Sequence, residues 1–113
     1  MLIVALHNNR NYLERIKELA KEQGIADSTI IERKDIGTYL VGEQIDVIVH
    51  RGNATHPYDK AFIATVEGNE RVRRFLDAIE KDNELDPLNV DDTGFICAVP
   101  FDQIKHLELE SSH

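Results

Sequence analysis

The chain has no tryptophan, one cysteine, one methionine, three prolines and six glycines in 113 residues. The single cysteine, Cys97, excludes an intramolecular disulfide, and its setting in Phe95-Ile-Cys-Ala-Val99 is that of a buried thiol in a strand. No apolar run approaches the roughly 18 residues that a membrane-spanning helix needs. Basic charge is also in deficit. The net charge of −8 leaves no basic face of the kind that nucleic-acid binding requires. The apolar start, Met1-Leu-Ile-Val-Ala-Leu6, has no basic residues before it and meets His7-Asn8-Asn9 at once. It therefore predicts a first strand, and cytoplasm as the compartment, rather than a secretory leader.

Catalytic and metal signatures are missing as well. No nucleophile elbow and no phosphate-binding glycine loop occurs. The histidines His7, His50, His56, His106 and His113 are scattered, and only His50 and His56, six residues apart, offer a weak metal pair. Glu80 to Asp92 is rich in carboxylates and reads as a solvated acidic stretch, not an acid–base pair.

What is present is a set of alternating strand and helix patterns. Leu2–Leu6 is a continuous apolar run, followed by Asn8, Asn9 and Asn11 as candidate caps. Leu13, Ile16, Leu19 and Ala20 then form a helical stripe, which Gly24 ends and Ile25 packs against. Thr29 to Gly37 is β-branched and predicts a strand, as do Lys60–Val66 and Phe95–Val99. Val72, Phe75, Leu76 and Ile79 give a second amphipathic helix to about Lys81, with Gly68 and Asn69 as turn and candidate cap. Pro87 keeps the acidic connection from extending it. Residues 108–113 read as a frayed tail.

The order β-α-β-β-α-β over residues 1–113 predicts a single α+β domain of ferredoxin-like type. Two helices lie on one face of a four-stranded antiparallel sheet. The other face is apolar, so the pattern expects copies to bury it against one another. The second and third strands are separated by Tyr39 to Tyr58, twenty residues where a hairpin needs roughly two to five. A connection this long in a small domain is expected to be functional. Ile45-Asp-Val-Ile-Val49 inside it has the composition of an extra strand.

The opening strand, Thr29-Ile-Ile-Glu-Arg-Lys-Asp-Ile-Gly37 running into the long loop, Lys60-Ala-Phe-Ile-Ala-Thr-Val66 and Thr93-Gly-Phe-Ile-Cys-Ala-Val-Pro100 together resemble the PII-like signalling proteins over nearly the whole chain. The resemblance implies a non-enzymatic regulatory protein, a homotrimer with ligand clefts between subunits, and a signalling loop, the T-loop, at residues 39–58. It places Thr29, Gly37 and Ala64 near an adenine base, Thr93 and Gly94 at a phosphate turn, Thr38 among the ligand-binding positions after Gly37, and His106 where family members have an arginine. Tyr39, Arg51 and Tyr58 would serve a partner protein, such as a membrane transporter or an enzyme. Phe95 stands where a basic residue is usual, and Thr38 and Tyr39 replace an arginine and a glutamine. Each lost cation removes a charge-assisted contact of roughly 1.5–3 kcal/mol. The expected ligand is therefore AMP, ADP, a cyclic nucleotide or a small anion rather than ATP with magnesium and 2-oxoglutarate. Two other classes stay open: a metal-responsive trimer similar to the divalent-cation tolerance proteins, with His50 and His56 as ligands, and an assembly module with no small ligand.

Overall fold

The computed structural model describes residues 1–34, 36, 48–51, 58–88 and 94–99. Strands β1 (Leu2–Leu6), β2 (Ser28–Glu32), β3 (Ile48–Arg51), β4 (Lys60–Thr65) and β5 (Phe95–Val99) form one sheet in the order β2-β4-β1-β5-β3. Every pairing is antiparallel. Helix α1 (Arg10–Glu22) joins β1 to β2, and α2 (Asn69–Lys81) joins β4 to β5 by way of a 3₁₀ turn at Asp86–Leu88. The result is an α+β domain compatible with the ferredoxin-like arrangement. The sheet has five strands among the described residues where the sequence pattern leads one to count four. The addition, β3, comes from the long connection and hydrogen-bonds to β5 with an irregularity between Val49 and Arg51.

The amino-acid pattern explains most boundaries. Asn9 caps α1, its side-chain oxygen accepting from the Asn11 amide at 2.9 Å. At the other end Gly24 takes a φ of 78°, and the Ile25 amide returns to the Ala20 carbonyl at 2.9 Å. Helix α2 begins at Asn69, so Asn69 lies inside the helix and is not its cap. Gly68 holds the cap position with a φ of 89° and no side-chain bond. β2 stops at Glu32, short of Gly37, because the chain turns there: the Ile36 amide bonds back to the Arg33 carbonyl at 3.1 Å.

Two apolar layers sandwich the sheet. On one face, Ile3 and Ala5, Phe62 and Ala64, and Ile96 and Ala98 pack against Leu13, Ile16 and Leu19 of α1 and Val72, Phe75 and Ile79 of α2. The Phe62 and Phe75 rings meet at 6.0 Å between centroids. On the other face, Leu2, Val4, Leu6, Phe95, Cys97 and Val99 form a second cluster with Ile36 and Tyr58. The expectation of a bare second face is corrected here. Leu2 is 6% exposed and Val4, Leu6, Cys97 and Val99 are fully covered within the single chain.

Asp82 is also not the solvated carboxylate of an acidic stretch. Its carboxyl, 9% exposed, receives the Arg15 guanidinium as a fork: Nη2 donates to Oδ1 at 2.7 Å and Nε to Oδ2 at 3.1 Å. The Leu85 amide donates to the same carboxyl at 3.1 Å. The guanidinium holds the Asp82 pKa below its ordinary 3.8. A carboxylate with a lowered folded pKa contributes stability that is complete above its unfolded value and is lost as pH falls through the folded value. Asp82→Asn is thus expected to lower the melting temperature at neutral pH. The gap from the parent should narrow steadily once pH drops below 3.8, measured by thermal melts from pH 7 to pH 2. Burial pushes the Cys97 thiol up to about 12. Iodoacetamide at pH 8 should leave it unlabelled in the native protein and label it once urea unfolds the chain, as read by mass spectrometry.

Candidate functional site

One end of the sheet collects the C-terminal ends of β1, β2 and β3 and the starts of α1, β4 and β5. The antiparallel registers place them together: Leu6 faces Ala61 on one side and Phe95 on the other, and Arg51 faces Ile96. His7, Asn8, Asn9, Ile36, Tyr58 and Gly94 therefore share this end with the backbone of Arg51.

The tripeptide His7-Asn8-Asn9 holds it in shape. His7 is 4% exposed, its ring stacked on Tyr12 at 4.1 Å with 19° between planes. Its Nδ1 accepts the Asn9 amide proton at 2.9 Å, so that nitrogen carries no proton in this arrangement. The Asn8 side-chain oxygen accepts from the Asp59 amide at 2.8 Å, tying the β1–α1 turn to the entry of β4. The Asn9 side-chain amide donates to the Leu88 carbonyl at 3.3 Å, tying the same turn to the 3₁₀ segment before β5. Arg10 pairs with both Glu14 of its own helix and Glu32 at the end of β2. Buried polar groups survive only when satisfied, and the bonds of this turn reach the start of α1, the entry to β4 and the 3₁₀ segment.

Tyr58 is 2% exposed and lies in the second apolar cluster beside Ile36, itself 1% exposed. Burial raises the phenol pKa, and the neighbouring Tyr12 adds to the effect. This corrects the expectation that Tyr58 is a partner contact. A covered side chain anchors the segment's return to the sheet and does not present itself to another protein.

The residues singled out in the sequence divide between two places. Gly94 and the backbone of Arg51 lie at the end just described. Thr29 is exposed on β2, opposite Ile63, and Ala64 is opposite Ser28. A shallow depression of about 290 Å³ lined by Asp27, Ser28, Thr29, Ile63, Ala64 and Thr65 brings these two together. The Ala64 methyl, however, is buried beneath the helices. Thr29 and Gly94 are separated by three strand spacings of the sheet, roughly 14 Å at about 4.8 Å each, so they do not line one pocket in one chain. Gly37, Thr38, Tyr39, Thr93, His56 and His106 lie outside the described residues, as does the side chain of His50, whose backbone belongs to β3. Among the described residues no group of three His, Cys, Asp or Glu side chains is placed to hold a metal ion, and no helix is long and apolar enough to cross a membrane.

The sequence reading missed His7 and Tyr12 as a stacked pair. The available signal was a histidine ending an apolar run, with an aromatic residue five positions later on the first turn of a helix. No known protein family, functionally described protein or solved structure matches the chain.

The role of Tyr58 is open to a direct test. Tyr58→Ala empties a large volume in the second cluster and should cost about 3–5 kcal/mol of unfolding free energy, whereas Tyr58→Phe keeps the packing and should cost far less. Urea denaturation of the two variants measures the difference. Equal, negligible losses would contradict the anchoring role.

Proposed function

We propose that this chain is a non-enzymatic regulatory protein. It takes a small ligand, an adenine nucleotide such as AMP, ADP or a cyclic nucleotide, or a small anion, at the end of the sheet that carries Gly94. Residues 39–58 convey the ligand's presence to a partner protein.

One observation carries this reading. Ile36 and Tyr58 flank the connection between β2 and β4, and both residues are buried in the same cluster at the same end of the sheet. A long segment with both feet fixed can change its own arrangement without loosening the core beneath it. β3, within that segment, hydrogen-bonds to β5, and β5 begins immediately after Gly94. A ligand held at Gly94 thus acts on the strand to which the segment is tied. It shifts the segment only by as much as it binds one arrangement better than the other. The turn His7-Asn8-Asn9, fixed by bonds to Asp59 and Leu88, supplies the rigid floor beside it. The resemblance to PII-like signalling proteins points the same way, because it puts the phosphate turn at residues 93–94 and the signalling loop at 39–58.

Titration calorimetry with AMP, ADP, ATP and cyclic AMP is the test. At least one should bind saturably, and that ligand should change the rate at which trypsin cuts after Arg51. If all four are silent at millimolar concentration, the nucleotide reading is wrong.

A further inference from the structure

We propose that the outer edge of β2 is a self-pairing surface, whose partner is the β2 edge of a second copy of this chain about a two-fold axis through Ile30. This inference is independent of the ligand reading above. Among the described residues β2 terminates the sheet and is paired only with β4. It is also the least covered strand for which side-chain burial is described. Thr29 and Glu32 are exposed and Ser28, Ile30 and Ile31 are half-buried, whereas every residue of β1 and β5 is buried.

Hydrogen bonding toward β4 fixes which backbone groups face outward. The Asp27 carbonyl accepts from Thr65, and the Arg33 amide donates to Asp59. The odd-numbered residues of this stretch therefore point their backbone groups inward, and Ser28, Ile30 and Glu32 point theirs to the open edge. An antiparallel copy must then pair even residue with even residue. The register that keeps all five residues of β2 in pairing sets Ile30 against Ile30 and Ser28 against Glu32. Ser28 exchanges its local bond to the Ala26 carbonyl for one to the second copy.

This register also matches side chains. Thr29 faces Ile31 of the second copy, a pair of β-branched residues at a close, non-hydrogen-bonded position. One step further out, Asp27 faces Arg33, both exposed on the surface. The two-fold repeats that match, so two opposite-charge pairs flank the strand. Shifting the register by two residues either way loses them. On the helix side of the same edge runs a groove lined by Glu14, Lys17, Glu18, Lys21, Ile25 and Ser28. The two-fold sets α1 antiparallel to its copy with this mixed-charge face between them. The five described strands of each copy join into one continuous sheet.

Charge reversal tests the register without disturbing the core, since both side chains are on the surface. Sedimentation equilibrium on the full chain should show a reversible association of even order. Asp27→Arg alone and Arg33→Asp alone should each weaken it roughly tenfold, because two attractive pairs become two repulsive ones. The double variant, Asp27→Arg with Arg33→Asp, should restore it. A chain that is monomeric up to millimolar concentration overturns the proposal, whether the open edge takes a different protein or none. A trimer indifferent to all three variants overturns it equally, as does a double variant as weak as the single ones. Circular dichroism melts of the variants establish that each is folded before its association is read.

Discussion

Every residue of β1 is buried, and its side chains alternate between two apolar layers. The rest of the structure answers to that condition. A strand apolar at all five positions must be covered above and below, at roughly 1.5–3 kcal/mol of transfer free energy for each large side chain hidden. The two amphipathic helices cover one face. Cover for the other comes in part from Ile36 and Tyr58, the residues flanking the long connection. The core and the long connection are therefore joined physically: two of the side chains that cover the sheet's second face, Ile36 and Tyr58, flank that connection.

Polar groups decide how these layers are held in relation to one another. Ion pairs on the open surface, such as Glu70–Arg74 and Arg10–Glu14, contribute little, because water and salt screen them and long side chains lose freedom in forming them. The fork between Arg15 and Asp82 differs in kind. It is partly withdrawn from water, and it joins α1 to the end of α2 across 67 residues of chain. The asparagines after β1 act similarly, since Asn8 and Asn9 bond to segments 51 and 79 residues away. Neither asparagine adds much apolar burial. Each instead makes the β1–α1 turn the common reference for the entries to β4 and β5.

These two kinds of force differ in how far a sequence displays them. The apolar periods of residues 13–20 and 72–79, the glycine at 24 and the run 95–99 are local, and the structure has its helices and strands where those patterns place them. Long-range pairing is not local. Nothing near Asp82 announces Arg15, so a run of carboxylates reads as solvated although one of them is a covered fastener. Tyr58 misleads for a related reason. A tyrosine after Gly-Asn-Ala-Thr-His-Pro looks like a loop residue, and only the placement of the second cluster shows that the sheet has claimed it. The divergence of Thr29 from Gly94 follows from strand order, which a linear pattern of strands and helices leaves undetermined.

Strand order and burial together also change where assembly would occur. A sheet with helices on one face and nothing on the other would drive copies together face to face, because apolar surface is then left in water. Here Leu2, Val4 and Leu6 are already covered, so that driving force is largely spent within the single chain. Among the described residues, what the sheet leaves unpaired is the outer backbone edge of β2, with half-buried Ile30 and Ile31 along it. Backbone edges pair by geometry and register more than by area. They accept only a strand of matching polarity, and flanking charges determine which strand that is. Asp27 and Arg33 are of opposite sign and equally distant from Ile30, an arrangement that is complementary to its own antiparallel copy.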